Sequence, residues 1–212
     1  MKSLIEEVKL HCYETLSDSN GSHNWDHTLR VYNLCAHIGK VEKADMDVLA
    51  ISAYMHDIGR SYQDESKGII CHAKKGAEMA EAFLEKKALS EGKRRNIIHC
   101  ILAHRFRGDM RPSTLEAKVL FDADKLDSIG AIGIARAFQF AGEVGAKLHT
   151  GMTPENTRPY TEEDTGYREF KVKLCKIKDR MLTKEGKRLA KERHAFMENY
   201  FNRFIEEHAG LK

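Results

Sequence analysis

The chain has 212 residues, 42% of them apolar and 32% charged, and a formal net charge of +3. That length supports one helical domain with a core that needs no covalent staples, and so small a net charge excludes an electrostatic case for nucleic acid as the main partner. No run approaches the ~18 apolar residues of a membrane span, and MKSLIEEVKL carries acids where a signal peptide has its apolar stretch, so a cytoplasmic protein without membrane association is expected.

Helical periodicity dominates, and the three prolines, at 112, 154 and 159, interrupt little of the chain. The pattern predicts helices near 2–16, 26–40, 45–58, 72–88, 90–106, 114–141, 163–181 and 184–208, an all-α protein read as one domain over 1–212. Ser22, Asp45 and Ser90 are the expected caps of the second, third and fifth helices. The polar segment Gly151–Asp164, with two prolines, is the one long loop and a candidate lid, with Arg158 and Tyr160 offering a cation and a ring. The stretch Arg168–Arg193 holds 11 Lys/Arg against 4 Asp/Glu. Its acids fall at helix-pairing spacings, so it reads as a solvated face, and no nucleic-acid partner is expected. Five cysteines, at 12, 35, 71, 100 and 175, make no C-x-x-C pair. Cys35 and Cys100 lie in apolar runs and read as small core residues.

The chemistry-bearing residues are histidines and aspartates on apolar stripes. His27 shares a stripe with Val31, Leu34, Cys35 and Ile38; His56 shares one with Leu49 and Ala53, and Asp57 follows it. On the long predicted helix, Asp124 is in phase with Ala117, Leu120, Phe121 and Ala131, whereas Asp122, two residues away, faces nearly opposite. A lone inward imidazole or carboxylate is ordinarily a hydrogen-bonded core residue. Four together, with an adjacent His-Asp pair, instead suit one divalent ion that keeps positions open for water and substrate. Two nitrogen ligands favour Mn²⁺, Fe²⁺, Co²⁺, Ni²⁺ or Zn²⁺ over Mg²⁺, with Mn²⁺ taken as the first expectation. No Gly-rich phosphate loop of the G-x-x-x-x-G-K-[ST] kind occurs, so any phosphate chemistry rests on metal and side chains.

His27 in HNWDHTLRV, the doublet His56-Asp57 in AYMHDIGR and Asp124 in LFDADKLDSIGAIGIAR together resemble the signature of the HD superfamily of metal-dependent phosphohydrolases over about residues 20–140. GYREFKVKLCKIKDRML and GKRLAKERHAFMENYF resemble the tail of a subgroup of small bacterial and archaeal members, placing helices 163–208 against that core. The resemblance implies an all-α fold with the metal between helices and hydrolysis of phosphate esters or anhydrides, commonly of nucleotides. Relatives that activate water with a Glu place it three residues after the doublet; Arg60 stands there in this chain and becomes a phosphate-binding candidate. His72 and His104 occupy places where two-metal relatives bind a second ion, and are expected instead to grip substrate phosphate.

The expected chemistry is attack by a metal-activated water on phosphorus, with charge stabilised by Arg60 and Lys125, which flank the ligand residues in sequence. Lys74, Lys75 and Arg105 are weaker candidates for the same task. Asp127 is the candidate for orienting water or moving a proton, with an Arg partner on the helix face as an equally weighted alternative. The expected substrate is a small phosphorylated one, a nucleotide, with a triphosphate cleaved to monophosphate and pyrophosphate as the first reading. Two other readings stand beside it: a metal- and nucleotide-binding module without turnover, and a helical nucleic-acid-binding protein using Arg168–Arg193. The sequence carries no signal for oligomeric state.

Overall fold

The structure, a computed structural model, describes residues 1–16, 24–105, 110–151 and 158–212. All regular structure among the described residues is helical, as the all-α expectation requires, and no helix among them is long and apolar enough to cross a membrane. The residues group into two compact units, Met1–Asp124 and Lys125–Lys212.

The first unit is built around α3 (Met46–Met55), whose residues Val48 to Met55 are all buried. Its sequence, MDVLAISAYM, is apolar on every side, so it is stable only when surrounded. Around it pack α1 (Lys2–Leu16), α2 (Trp25–Glu42) and α6 (Glu91–Ala103). Asp45 caps α3 by accepting from the backbone of Asp47 and Val48, and its own N–H donates to the Glu116 carboxylate at 2.8 Å. Lys93 of α6 reaches Asp45 and Asp47. The start of the central helix is therefore tied to the two elements that bring His104 and Asp124. Ser90 caps α6 as expected. The cap of α2 is Asn24, whose side chain accepts from the His27 backbone; Ser22 lies outside the described residues.

Three predicted boundaries differ. The helix expected over 45–58 ends at Met55, and after a tight turn a six-residue helix, α4 (Arg60–Glu65), precedes α5 (His72–Leu84). The helix expected over 114–141 is two, α7 (Leu115–Asp127) and α8 (Gly130–Glu143). The break has a backbone cause. Ile129 is extended and Gly130 takes φ +78, a region that favours glycine, and the chain turns so tightly that a side chain at Gly133 would lie 2.3 Å from the Ser128 carbonyl. The carbonyls exposed at the end of α7 are met by arginines: Leu126 by Arg193 and Asp127 by Arg136. Finally, the helix expected over 163–181 divides at Lys173 into α9 (Gly166–Val172) and a 3₁₀ helix, Leu174–Arg180.

In the second unit α8, α9, the 3₁₀ helix and α10 (Lys184–His208) pack around aromatic rings, with Phe170 stacked on Phe201 at 4.6 Å between centroids. Of the expected lid, residues 152–157 lie outside the described residues. The part that follows them is a hydrogen-bonded turn, with Arg158 N–H donating to Glu163 and Tyr160 N–H to Asp164. Arg158 and Tyr160 are both exposed.

Glycine is needed at one point beside the doublet. A Cβ on Gly59 would lie 2.5 Å from the Gly76 amide nitrogen and 2.6 Å from the His72 carbonyl, both backbone atoms of α5. A Cβ on Gly76 would make ordinary contacts, with the Gly59 amide nitrogen at 3.4 Å and the Ile58 and Ile101 methyls at 3.6 Å. Gly59→Ala is thus expected to lower the urea midpoint by overpacking, at a cost of about 1–3 kcal/mol. Gly76→Ala, in a helix interior, is expected to be neutral or stabilising by up to about 1 kcal/mol. Equal midpoints for the two variants would reject the close approach as the reason for Gly59.

Candidate metal centre

His56 and His104 share a local logic. Each stands one residue beyond a helix, α3 and α6 respectively, where the last carbonyls have no intrahelical donor. Each ring turns back on that end: His56 Nδ1 donates to Ala53 O at 2.8 Å and His104 Nδ1 to Ile101 O at 2.6 Å. A carbonyl only accepts, so Nδ1 holds the hydrogen and Nε2 is left with a lone pair aimed away from the helix. His72 opens α5, and its Nδ1 lies 2.7 Å from Gln63 Oε1 in α4. His27 sits in the first turn of α2, placed there by the Asn24 cap.

The four imidazoles converge on Asp57, which is 2% exposed. Its Oδ2 lies 3.8 Å from His27 Nε2 and 3.7 Å from His56 Nε2. Its Oδ1 lies 3.5 Å from His72 Nε2 and 3.6 Å from His104 Nε2. Within the first pair, His27 and His56 Nε2 are 3.2 Å apart, and His27 Nε2 is 3.5 Å from Asp124 Oδ1. Within the second, His72 and His104 Nε2 are 3.2 Å apart. Two groups with metal-ligand chemistry result, His27–His56–Asp124 and Asp57–His72–His104, and the two oxygens of Asp57 face one each.

The donors fit divalent ions. Ligands at ~2.1 Å from a tetrahedral ion lie about 3.4 Å from one another, close to the separations here. The contact between His72 and His104 Nε2 is more telling. With both Nδ1 atoms donating to oxygen, neither Nε2 carries a hydrogen, so two lone pairs face each other at 3.2 Å. That arrangement is repulsive unless a cation lies between or beside them. Burial also favours the neutral form, the one that binds metal, at two of the rings: it pushes the His56 pKa down to about 4 and the His72 pKa down to about 3, and for His72 the nearby Arg60 and Arg105 charges act in the same direction.

The remaining sequence candidates lie as follows. Asp122 belongs to neither group but is fully buried. Helical phase turned Asp124 inward and Asp122 away; burial reverses that order, with Asp122 fully buried and the Asp124 side chain 13% exposed, because residues on both flanks of α7 are covered. Arg60 opens α4, partly buried, its Nε 3.5 Å from the Asp64 carboxylate. Arg105 donates to Cys71 Sγ at 3.1 Å, and Lys75 pairs with Glu78 at 3.2 Å. Lys125 follows Asp124 on α7. Asp127 is buried, and its carboxylate accepts from Arg136 at 2.6 Å. Gln63 was not singled out from the sequence: nothing in RSYQDE marks a glutamine that will meet a histidine nine residues on.

The model of the HD domain family matches residues 24–129. The Bacillus subtilis protein YpgQ is 32% identical over 219 residues, covering all of this chain and 98% of that protein. The crystal structure of YpgQ in complex with ADP superposes with a TM-score of 0.75 at 28% identity, over 98% of this chain and 100% of the other. The crystal structure of an HD-superfamily hydrolase from Bacillus thuringiensis gives a TM-score of 0.77 at 26% identity, over 97% of each chain.

Proposed function

This chain belongs to the HD domain family, and on that premise we propose that it is a divalent-metal-dependent phosphohydrolase acting on nucleotides. The observation that carries the reading is the Asp57 carboxylate with two imidazoles at each oxygen. So many donors turned inward on one buried carboxylate are costly unless an ion satisfies them.

The first ion is held by His27, His56, Asp57 and Asp124. We extend the proposal to a second, held by Asp57, His72 and His104, in place of the phosphate contact expected of those two histidines from the sequence. With Nδ1 of each ring donating to an oxygen, each Nε2 presents a lone pair, which binds a cation and repels a phosphate oxygen. Burial holds His72 neutral far below neutral pH. Divalent ions at such a centre lower the pKa of water and neutralise charge on a phosphoryl group. The protein's own part is to hold the His56 and His104 rings through helix-end carbonyls and to keep His56 and His72 unprotonated. Arg60 and Lys125 are the proposed cations for the phosphate chain. The Arg136 partner of Asp127 favours a structural role for that carboxylate over proton transfer.

The nucleotide assignment is supported by the ADP complex of YpgQ. A diphosphate there accords with a substrate bearing a phosphate chain, and we propose a nucleoside triphosphate hydrolysed by water to the monophosphate and pyrophosphate. The test is product analysis with Mn²⁺, Co²⁺, Ni²⁺ and Mg²⁺ on nucleoside mono-, di- and triphosphates, assaying phosphate and pyrophosphate separately. Monophosphate and pyrophosphate in equal amounts are expected. Orthophosphate as the sole inorganic product would reject the cleavage position. No release from any nucleotide with any metal would return the chain to a metal- and nucleotide-binding role.

A further inference from the structure

The rings of His56 and His104 are held by backbone carbonyls, which no substitution of a side chain removes. The ring of His72 is held by a side chain. Gln63 Oε1 accepts from His72 Nδ1 at 2.7 Å and lies 3.4 Å from the His72 backbone nitrogen, so one amide oxygen serves the ring and the first residue of α5 together. The backbone N–H requires an acceptor, which orients the amide with its oxygen toward His72. Gln63 is itself anchored. Its backbone carbonyl accepts from Gly68 N–H at 2.8 Å and from Ser66 Oγ, and Ser66 Oγ accepts in turn from Ile70 N–H. The connector between α4 and α5 is thereby closed onto the residue that sets the ring.

We infer that Gln63 is the positioning residue of the second cation site, holding His72 in the tautomer and orientation that aim Nε2 at Asp57 and His104, and so setting the affinity of that site. The inference rests on the two-ion reading above. Its physical basis is general. An acceptor on the distal nitrogen of a ligating imidazole fixes the tautomer, raises the basicity of the ligating nitrogen and removes the entropy of ring rotation. Without it, Nδ1 and Nε2 compete for the hydrogen, and the ring spends part of its time with an N–H facing the cation. The first site, whose rings do not depend on Gln63, stays intact.

The experiment is Mn²⁺ binding to the metal-free protein, followed by the electron paramagnetic resonance of free Mn²⁺, on the wild type, Gln63→Leu, Gln63→Glu and His72→Ala, with helix content checked by circular dichroism. The wild type is expected to bind two equivalents and His72→Ala one. Gln63→Leu keeps the tighter equivalent and binds the other about 10–100-fold more weakly. Gln63→Glu, which keeps the acceptor, restores it. Because the effect is on affinity, saturating Mn²⁺ returns Gln63→Leu to wild-type turnover. If Gln63→Leu titrates as the wild type while His72→Ala loses an equivalent, the role of Gln63 is wrong and the two-ion reading stands. Two equivalents in His72→Ala, or one in the wild type, overturns that reading and the inference with it. Failure of Gln63→Glu to rescue, or loss of both equivalents in Gln63→Leu, overturns the inference by showing that packing rather than the acceptor was removed.

Discussion

Asp57→Asn is expected to abolish metal-dependent hydrolysis, with a fall of at least about 10³-fold in kcat/KM, roughly 4 kcal/mol of transition-state stabilisation. Both carboxylate oxygens are engaged, each facing two imidazole nitrogens at 3.5–3.8 Å. The amide keeps the shape and one weak acceptor, and it loses the negative charge and the second donor. Thermal unfolding gives a readout separate from turnover. An ion that binds only the folded state stabilises it by about 2.7 kcal/mol at a hundred times its dissociation constant. The wild type should therefore melt higher with Mn²⁺ than with chelator, and Asp57→Asn should lose most of that increment. The metal-free variant is not expected to be less stable than the metal-free wild type, since a buried charge has become neutral. An unchanged metal increment, or an unchanged rate, would show that Asp57 does not hold the ions.

The pair Asp124 and Asp122 gives the second large effect. Asp124→Asn removes the carboxylate beside His27 and is expected to reduce turnover by about 10²–10³-fold, the scale on which loss of one preorganised electrostatic group acts. Asp122→Asn, outside both donor groups, is expected to leave turnover per folded molecule near that of the wild type. Its burial means that its effect falls on stability instead. Rates corrected for folded fraction by circular dichroism separate the two. Equal loss in both variants, each fully folded, would mean that the centre uses the other face of α7.

What could be read before the structure was whatever repeats along a helix. α1 and α10 lie at 2–16 and 184–208 as expected, because their stripes are long and their ends unambiguous. Boundaries failed where a backbone turn rather than a side-chain pattern decides. SIGAIG keeps helical spacing of apolar residues straight through a break made by Gly130 at positive φ, and RSYQDE is too short and too polar for a periodic signal.

By itself the sequence determined the all-α class and the motif that carries the family, and it nominated His27, His56, Asp57 and Asp124 as ligands. Phase along a helix specifies a direction relative to that helix's axis, and on α7, covered on both flanks, it did not foresee that Asp122 is the more buried of the two aspartates. Nor does it say what a polar side chain meets. Only the tertiary structure decided that Asp57 is shared between two pairs of imidazoles, that His72 and His104 face each other as lone pairs across 32 residues of chain, and that a glutamine holds one of them. Those facts depend on where separate helices end and how closely they pack, at Gly59 against α5 above all. A ring's tautomer depends on whichever acceptor that packing leaves beside it.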